Sequence, residues 1–240
     1  MTAATLRALH HGRATGDPLV LPGPWDAASA RVFAEAGFPA LATPSAGVSA
    51  ALGYEDGEAP AAEMFAAIAR IVRAVPVPVT ADVESGYGLP PKELVERLLE
   101  TGAVGCNLED SDHRTGRLKD PAEQADYLAA VRAEAGEALF INARVDTFLH
   151  GVADPGQALD RARRYTEAGA DCLYPILAPA EQLAGFAAEV TLPVNALALP
   201  TGPSPRELGQ LGATRVTFGG GQHHKSMTAL ADSARELREA

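Results

Sequence analysis

Apolar and polar positions follow one repeating block along this chain. A short apolar run, often β-branched, is followed by an Ala-rich stretch with helical spacing, and the pair recurs about eight times. The runs predict strands over 19–23, 39–43, 77–82, 103–110, 138–146, 170–176, 192–197 and 214–221. Between them the pattern predicts helices over 27–36, 60–74, 90–102, 120–136, 154–169, 179–188 and 204–211, with a last helix after 221 and a long loop over 44–58. Helix punctuation agrees: Asp26 reads as an N-cap, Pro stands at the start of several helices, and Gly closes them. The phrases "EAGFPALAT", "ETGAVGCNLED", "EAGADCLYPI" and "QLGATRVTF" share one idiom, a helix ending in Gly and a strand starting within a few residues.

Such alternation implies parallel strands joined by crossover helices. About eight units in 240 residues fit an α/β fold of the (β/α)₈ TIM-barrel type, read as one domain over 1–240. An open doubly wound sheet is the runner-up, but "LPGPWDAAS" after the first strand is not the glycine fingerprint of that fold.

In a closed barrel the chemistry sits at the C-terminal strand ends, and here those ends are polar. The third strand ends in Asp82 and Glu84, the fourth in Glu109 and Asp110, and the fifth carries Arg144 and Asp146. Ser45 follows the second strand, Asp56 lies further along its loop, Asn195 is in the seventh, and Gly219, Gly220 and Gly221 follow the eighth. Asp82, Glu84, Glu109 and Asp56 would converge on one mouth, where bare carboxylates repel and some would be driven to protonate. A hard divalent cation relieves that conflict, and oxygen-only ligands suit Mg²⁺, with Mn²⁺ as its substitute. Asp82, Glu84 and Glu109 are the metal candidates. Arg144 is the natural partner for a substrate carboxylate or a developing enolate oxygen; its structural alternative is a salt bridge to Glu109 or Asp110. Ser45, Ala46 and Gly47 could offer a hydroxyl and backbone N–H groups to a carboxylate, and Asn195 is a further substrate-binding candidate. Gly219–Gly221 could cradle a phosphate, though a tight turn is the preferred reading. Asp110 and Asp146 read as helix caps or solvated loop charges, Cys106 and Cys172 as core, Tyr54 and Tyr87 as packing residues. His10 and His11 fall in a polar, mobile N-terminus, and His223 and His224 at an exposed helix start.

Composition narrows the partners. A formal charge of −11 argues against nucleic acid or an anionic membrane surface, though not against a small anion held by a local cation. No apolar stretch is long enough to span a bilayer, and the first residues lack a secretory apolar core. Two cysteines without metal-ligand spacing suggest reduced thiols and a cytoplasmic location.

The motifs "PGPWDAASARVFAEAGFPALATPSAGVSAALGYEDGE", "TADVESGYG", "GCNLEDS", "INARVDTFL", "PVNAL" and "TRVTFGGG" together resemble, in order and register, the isocitrate lyase and phosphoenolpyruvate mutase superfamily. The resemblance implies a (β/α)₈ barrel, Mg²⁺, and cleavage or formation of C–C or P–C bonds in 2-oxo or 2-hydroxy acids. It implies Asp82 as principal metal ligand, with Glu84, Glu109 and Asp56 holding the metal's waters. Arg144, Ser45 and the Gly47 backbone would hold the substrate, so that Arg144, Asp56 and Glu109 form the expected catalytic group. A homo-oligomer, dimer or tetramer, is also implied, since relatives often exchange a C-terminal helix. There are departures. The Lys-Lys-Cys-Gly-His-like loop of the isocitrate and methylisocitrate lyases is replaced by the short "DSDHRTGRLKDP", where His113, Arg114 or Lys119 are the available substitutes, and Glu84 stands where many relatives have Asp. The expected activity is Mg²⁺-dependent C–C cleavage of a small 2-oxo or 2-hydroxy di- or tricarboxylate. The alternatives are P–C chemistry on phosphonopyruvate and a non-catalytic 2-oxo acid-binding barrel.

Overall fold

The computed structural model describes residues 1–112, 115–152 and 154–239. Its first half runs α1 (Ala3–His10), β1 (Leu19–Val20), α2 (Ala27–Glu35), β2 (Leu41–Ala42), α3 (Ser45–Leu52), α4 (Ala61–Arg73), β3 (Val79–Asp82), α5 (Pro91–Thr101) and β4 (Gly105–Leu108). A short pair, β5 (Ser111–Asp112) and β6 (Arg117–Leu118), precedes α6 (Pro121–Ala135), β7 (Phe140–Val145) and α7 (Pro155–Glu167). The chain closes with β8 (Cys172–Pro175), α8 (Ala180–Glu189), β9 (Asn195–Leu197), α9 (Pro205–Gln210), β10 (Arg215–Thr217) and α10 (Gly221–Glu239).

Every expected apolar run contains a parallel strand, shorter than the run itself. Five strands pair in the order β2-β3-β4-β7-β8 and three in the order β1-β10-β9. Leu173 of β8 bridges in parallel to Val194 beside β9. At the other seam the Ala42 N–H donates to the Pro22 carbonyl at 3.1 Å. The two runs therefore curl into one parallel α/β barrel, as the alternation requires.

The helix ends explain why the strands start where they do. Asp26 and Ser29 form a capping box on α2, and Ser204 and Glu207 form another on α9. Pro91, Pro121 and Pro155 open α5, α6 and α7, where a missing N–H costs nothing. Gly102 closes α5 at φ 81°, a left-handed conformation that glycine adopts without steric cost. The main core lies between the helices and the outer faces of the strands, with Leu94, Leu98, Leu128, Val131, Ile141 and Val145 fully sealed.

Three expectations need correction. The N-terminus is not mobile: α1 docks under the barrel, burying Ala3, Leu6 and His10. His10 stacks on Phe140 with ring centroids 4.3 Å apart, and Arg7 ties the helix to Asp171 at 2.8 Å. Burial first, then the Arg215 charge, pulls the His10 imidazole down to about 3, so it is neutral. The loop over 44–58 contains α3, because Val48 finds a buried seat and Gly53 supplies the left-handed stop at φ 92°. The "SDHRTGRL" stretch, expected as loop, carries the antiparallel β5–β6 pair. Among the described residues no helix is long and apolar enough to cross a membrane.

Candidate active site at the barrel mouth

A cavity of about 190 Å³ opens at the C-terminal strand ends. Ser45, Ala46, Asp56, Asp82 and Arg144 line it, together with Asn107, Tyr174, Thr217, Gly219 and Gly220. Elements from both halves of the chain thus meet there, as parallel strands feeding one rim must.

Asp82 closes β3 and points inward. Its Oδ2 accepts from the Ser45 hydroxyl at 3.2 Å and faces the Ser45 N–H at 3.5 Å, and its Oδ1 faces the Glu84 N–H at 3.3 Å. Ser45 opens α3, so Ser45, Ala46 and Gly47 present first-turn N–H groups that the helix itself leaves unbonded. Gly47 is closely hemmed in: a Cβ there would lie 3.0 Å from Pro44 Cγ and 3.4 Å from the Trp25 and His223 side chains. Burial first, then the charge of Glu109, lifts the Asp82 carboxyl to about 7, with Asp56 adding to the rise and Arg144 opposing it.

Arg144 leaves β7 beside Asp82. It forks onto Asp146, Nε to Oδ1 at 2.8 Å and Nη2 to Oδ2 at 3.1 Å, while Nη1 pairs with Glu109. Burial disfavours its charge, yet Asp146, Glu109 and Asp82 outweigh that and hold the guanidinium above its usual range. The salt-bridge alternative is therefore present for Glu109, but not for Asp110.

Asp110 and Asp146 are not solvated caps; both are fully buried. Asp110 accepts from Arg161 at 2.9 Å, from the Tyr165 hydroxyl at 2.7 Å and from the Asp146 N–H at 2.8 Å. Asp146 in turn accepts from Ser111 Oγ at 2.5 Å, and Ser111 Oγ lies 2.9 Å from His150 Nε2. Arg144 is thus anchored through a chain of buried carboxylates that ends on α7.

The other expected residues divide. Glu84 is buried and sits at φ 52°, a conformation unusual for a side chain larger than glycine, so the strand does not stay regular past Asp82. Glu109 and Glu84 stand behind the cavity wall rather than on it, and Asp56 approaches from the exposed loop after α3. Among the described residues, no three His, Cys, Asp or Glu side chains are drawn close enough to grip one ion directly. Asn195 is fully buried below the cavity floor, its Nδ2 bonded to the Ala196 carbonyl and Thr217 Oγ1 at 2.9 Å each, and it does not line the cavity. Of the substitutes in the short loop, His113 and Arg114 lie outside the described residues, and Lys119 donates to Gln124 at 3.3 Å. Cys106 and Cys172 are buried thiols pushed up to about 12 by burial. Tyr87 packs edge-on against Phe65, and the Tyr54 hydroxyl donates to Glu63 at 2.8 Å.

Asn107, Tyr174 and Thr217 were missed by the reading of strand ends, although all three line the cavity. The available signal was a polar residue inside an apolar run, as in "GCNLED" and "TRVTF".

The family model for phosphoenolpyruvate phosphomutase matches residues 6–238. The chain belongs to the phosphoenolpyruvate phosphomutase family. Among its relatives, an uncharacterized protein of Mycobacterium tuberculosis is 35% identical over 233 residues, which is 96% of this chain and 88% of that one. A 2-methylisocitrate lyase of Bacillus subtilis is 30% identical over 200 residues, covering 79% of this chain and 65% of the lyase. A Burkholderia cenocepacia structure described as a candidate phosphonomutase superposes with a TM-score of 0.89 at 41% identity, over 98% of this chain and 99% of the other. An oxaloacetate acetylhydrolase bound to its product oxalate superposes at 0.88 with 26% identity, over 98% and 86%. The phosphoenolpyruvate phosphomutase family thus holds lyases and mutases of small carboxylates on the barrel expected from the strand-helix alternation.

Proposed function

We propose that this chain is a Mg²⁺-dependent lyase that cleaves a C–C bond in a small 2-oxo or 2-hydroxy di- or tricarboxylate. The observation that carries the reading is the Asp82 carboxylate, set in the cavity wall at a strand end, where the charges of Glu109 and Asp56 raise its proton affinity while Arg144 and the Glu84 N–H oppose them. A site that crowds carboxylates against their mutual repulsion suits a dication. The spread of the acids suits Mg²⁺ in particular, which keeps several waters and takes one or two carboxylates directly. Asp82 would hold the ion directly, and Glu84, Glu109 and Asp56 would hold its water shell. When bound, Mg²⁺ would draw negative charge toward the substrate's keto and carboxylate oxygens.

The chain's own groups do the rest. Ser45 and the first N–H groups of α3 receive the substrate carboxylate, and Arg144, held rigid by Asp146 and Glu109, faces the oxygen on which charge develops. In a 2-oxo acid such as oxaloacetate, the bond from C3 to the C4 carboxylate breaks, C4 leaves as CO2, and the bond's electron pair forms the C2–C3 double bond as the carbonyl pair moves onto the keto oxygen. Solvent then returns a proton to C3. The similarity to the 2-methylisocitrate lyase and to the oxaloacetate acetylhydrolase supports the C–C reading. The similarity to the candidate phosphonomutase supports P–C cleavage of phosphonopyruvate as the second reading.

The test is turnover. Oxaloacetate, 2-methylisocitrate and phosphonopyruvate are each incubated with Mg²⁺ and protein, and pyruvate is read by an NADH-coupled dehydrogenase. Pyruvate formation above the Mg²⁺-only background, lost in Asp82→Ala, is the expected result. Phosphate release from phosphonopyruvate alone would favour the second reading. Binding of these acids with no turnover would leave a binding barrel. The proposal extends to a homo-oligomer, dimer or tetramer: α10 buries none of its residues and leaves Met227, Leu230 and Leu237 exposed. Light scattering giving a monomer mass would remove that part.

A further inference from the structure

Three barrel strands carry an asparagine between apolar neighbours: Asn107 in β4, Asn142 in β7 and Asn195 in β9. Register places Asn107 beside Asp82 on one side and Asn142 on the other. Asn142 Nδ2 donates to Asn107 Oδ1 at 2.7 Å and reaches Asn195 Oδ1 at 3.3 Å. From below, Arg215 Nη2 donates to the same Asn107 Oδ1 at 3.3 Å. Arg215 is fully buried, and a guanidinium has donors only. The orientation of the Asn107 amide is therefore decided by chemistry: turned over, it would set its NH₂ against the Arg215 N–H groups. With the oxygen committed below, the amide nitrogen is left for the other side. It has no protein acceptor among the described residues and is not among the sealed polar atoms, and Asn107 lines the same cavity as Asp82 and Arg144.

We propose that Asn107 is a substrate-binding donor of this site. Its Nδ2–H group bonds the C2 oxygen of the 2-oxo acid, and Arg215 and Asn142 act as positioning residues that aim it. The inference rests on the lyase reading given above and deepens it. Asp82 and Asp56 cannot donate while ionised, and Arg144, whose fork is fixed by Asp146 and Glu109, faces the same oxygen as a charge, so that Asn107 adds a second, neutral donor to it. A fixed neutral donor adds recognition of an acceptor at C2 without adding charge to a crowded site. It also selects against a 2-amino acid, whose ammonium would meet a donor.

Calorimetric titration with oxalate as the probe tests this, with Mg²⁺ saturating, on wild type, Asn107→Ser and Arg215→Met. Loss of a hydrogen bond to a charged ligand predicts oxalate affinity roughly 10- to 100-fold weaker in Asn107→Ser. Mg²⁺ affinity measured without oxalate should be unchanged within about 2-fold, since a neutral amide is no strong Mg²⁺ ligand. Arg215→Met should weaken oxalate less, although Arg215 does not line the cavity. In ¹⁵N-labelled wild type, the assigned Asn107 side-chain NH₂ resonances should move when oxalate is added. In Arg215→Met that movement should shrink, which a purely structural role for Arg215 would not produce. Unchanged oxalate affinity in folded Asn107→Ser overturns the proposal and leaves the lyase reading standing. Wild type that binds no oxalate with Mg²⁺ overturns the lyase reading and this proposal with it. If Asn107→Ser does not fold, the wild-type resonances decide: no movement on oxalate addition overturns the proposal, and movement supports it.

Discussion

Arg161→Met tests the buried chain that anchors Arg144. Arg161 leaves α7, donates to Asp110 at 2.9 Å, and also donates to the Lys119 carbonyl at 2.8 Å. Removing the cation leaves Asp110, fully buried beside Asp146, with the Tyr165 hydroxyl and the Asp146 N–H as its remaining side-chain partners among the described residues. Breaking one side of a buried ion pair costs roughly 3–5 kcal/mol when the remaining charge cannot escape. For a chain of this size that is a fall in Tm of about 6–20 °C at pH 8. Asp110 has an escape, however. Burial, and then the Asp146 charge, already holds its carboxyl above the usual range despite Arg161 and Tyr165, and the substitution raises it further. A carboxyl whose folded pKa lies above its unfolded one contributes stability at low pH that is lost as pH rises through the folded value. The deficit of Arg161→Met relative to wild type should therefore shrink at pH 5 and widen toward pH 8. Urea unfolding at both pH values measures it, and Asp110→Asn/Arg161→Met should recover part of the loss. A deficit under about 1 kcal/mol, or one equal at the two pH values, would refute the reasoning.

Further outcomes follow from the same geometry. Asp82, lifted to about 7, should make the metal-free protein lose stability as pH rises from 5 to 8, and Mg²⁺ should raise Tm more at pH 8 than at pH 5 in a fluorescence melt. A Mg²⁺ effect that is absent or larger at pH 5 contradicts this. Leu6→Ala, at a fully buried position of α1, should cost about 2–5 kcal/mol in urea unfolding, whereas an undocked helix would show almost no loss. Gly105→Ala would place a Cβ 2.7 Å from the Phe140 carbonyl oxygen and should destabilise by about 1–3 kcal/mol, with a Tm equal to wild type as the contrary result.

The strands and crossover helices were legible because an apolar run recurs at every unit and a Gly stop at most of them, and each reports a local backbone requirement. The partners of the charged residues were less legible. Glu109 and Asp110 are neighbours in sequence, yet they turn to opposite sides: Glu109 meets Arg144 from β7, and Asp110 meets Arg161 from α7. Alternation along a strand says that two sides exist, but strand register and loop bending decide which cation waits on each. Asp146 escaped notice as the fork for Arg144 because an acid after a strand usually caps a helix. The docking of α1 was hidden by its Arg7 and His10, although Ala3, Leu6 and His10 repeat at helical spacing. Asn107 lies within β4 and not at its end, and a polar side chain inside an apolar run must find partners when buried.

Titration of Mn²⁺ into metal-free protein, followed by electron paramagnetic resonance, asks most directly whether acids from separate strands share one dication. The expected result is one bound ion per chain, a spectrum that changes when oxalate is added, and loss of binding in Asp82→Ala. A wild-type protein that leaves Mn²⁺ free in solution, or an Asp82→Ala variant that binds it equally well, would contradict the shared site.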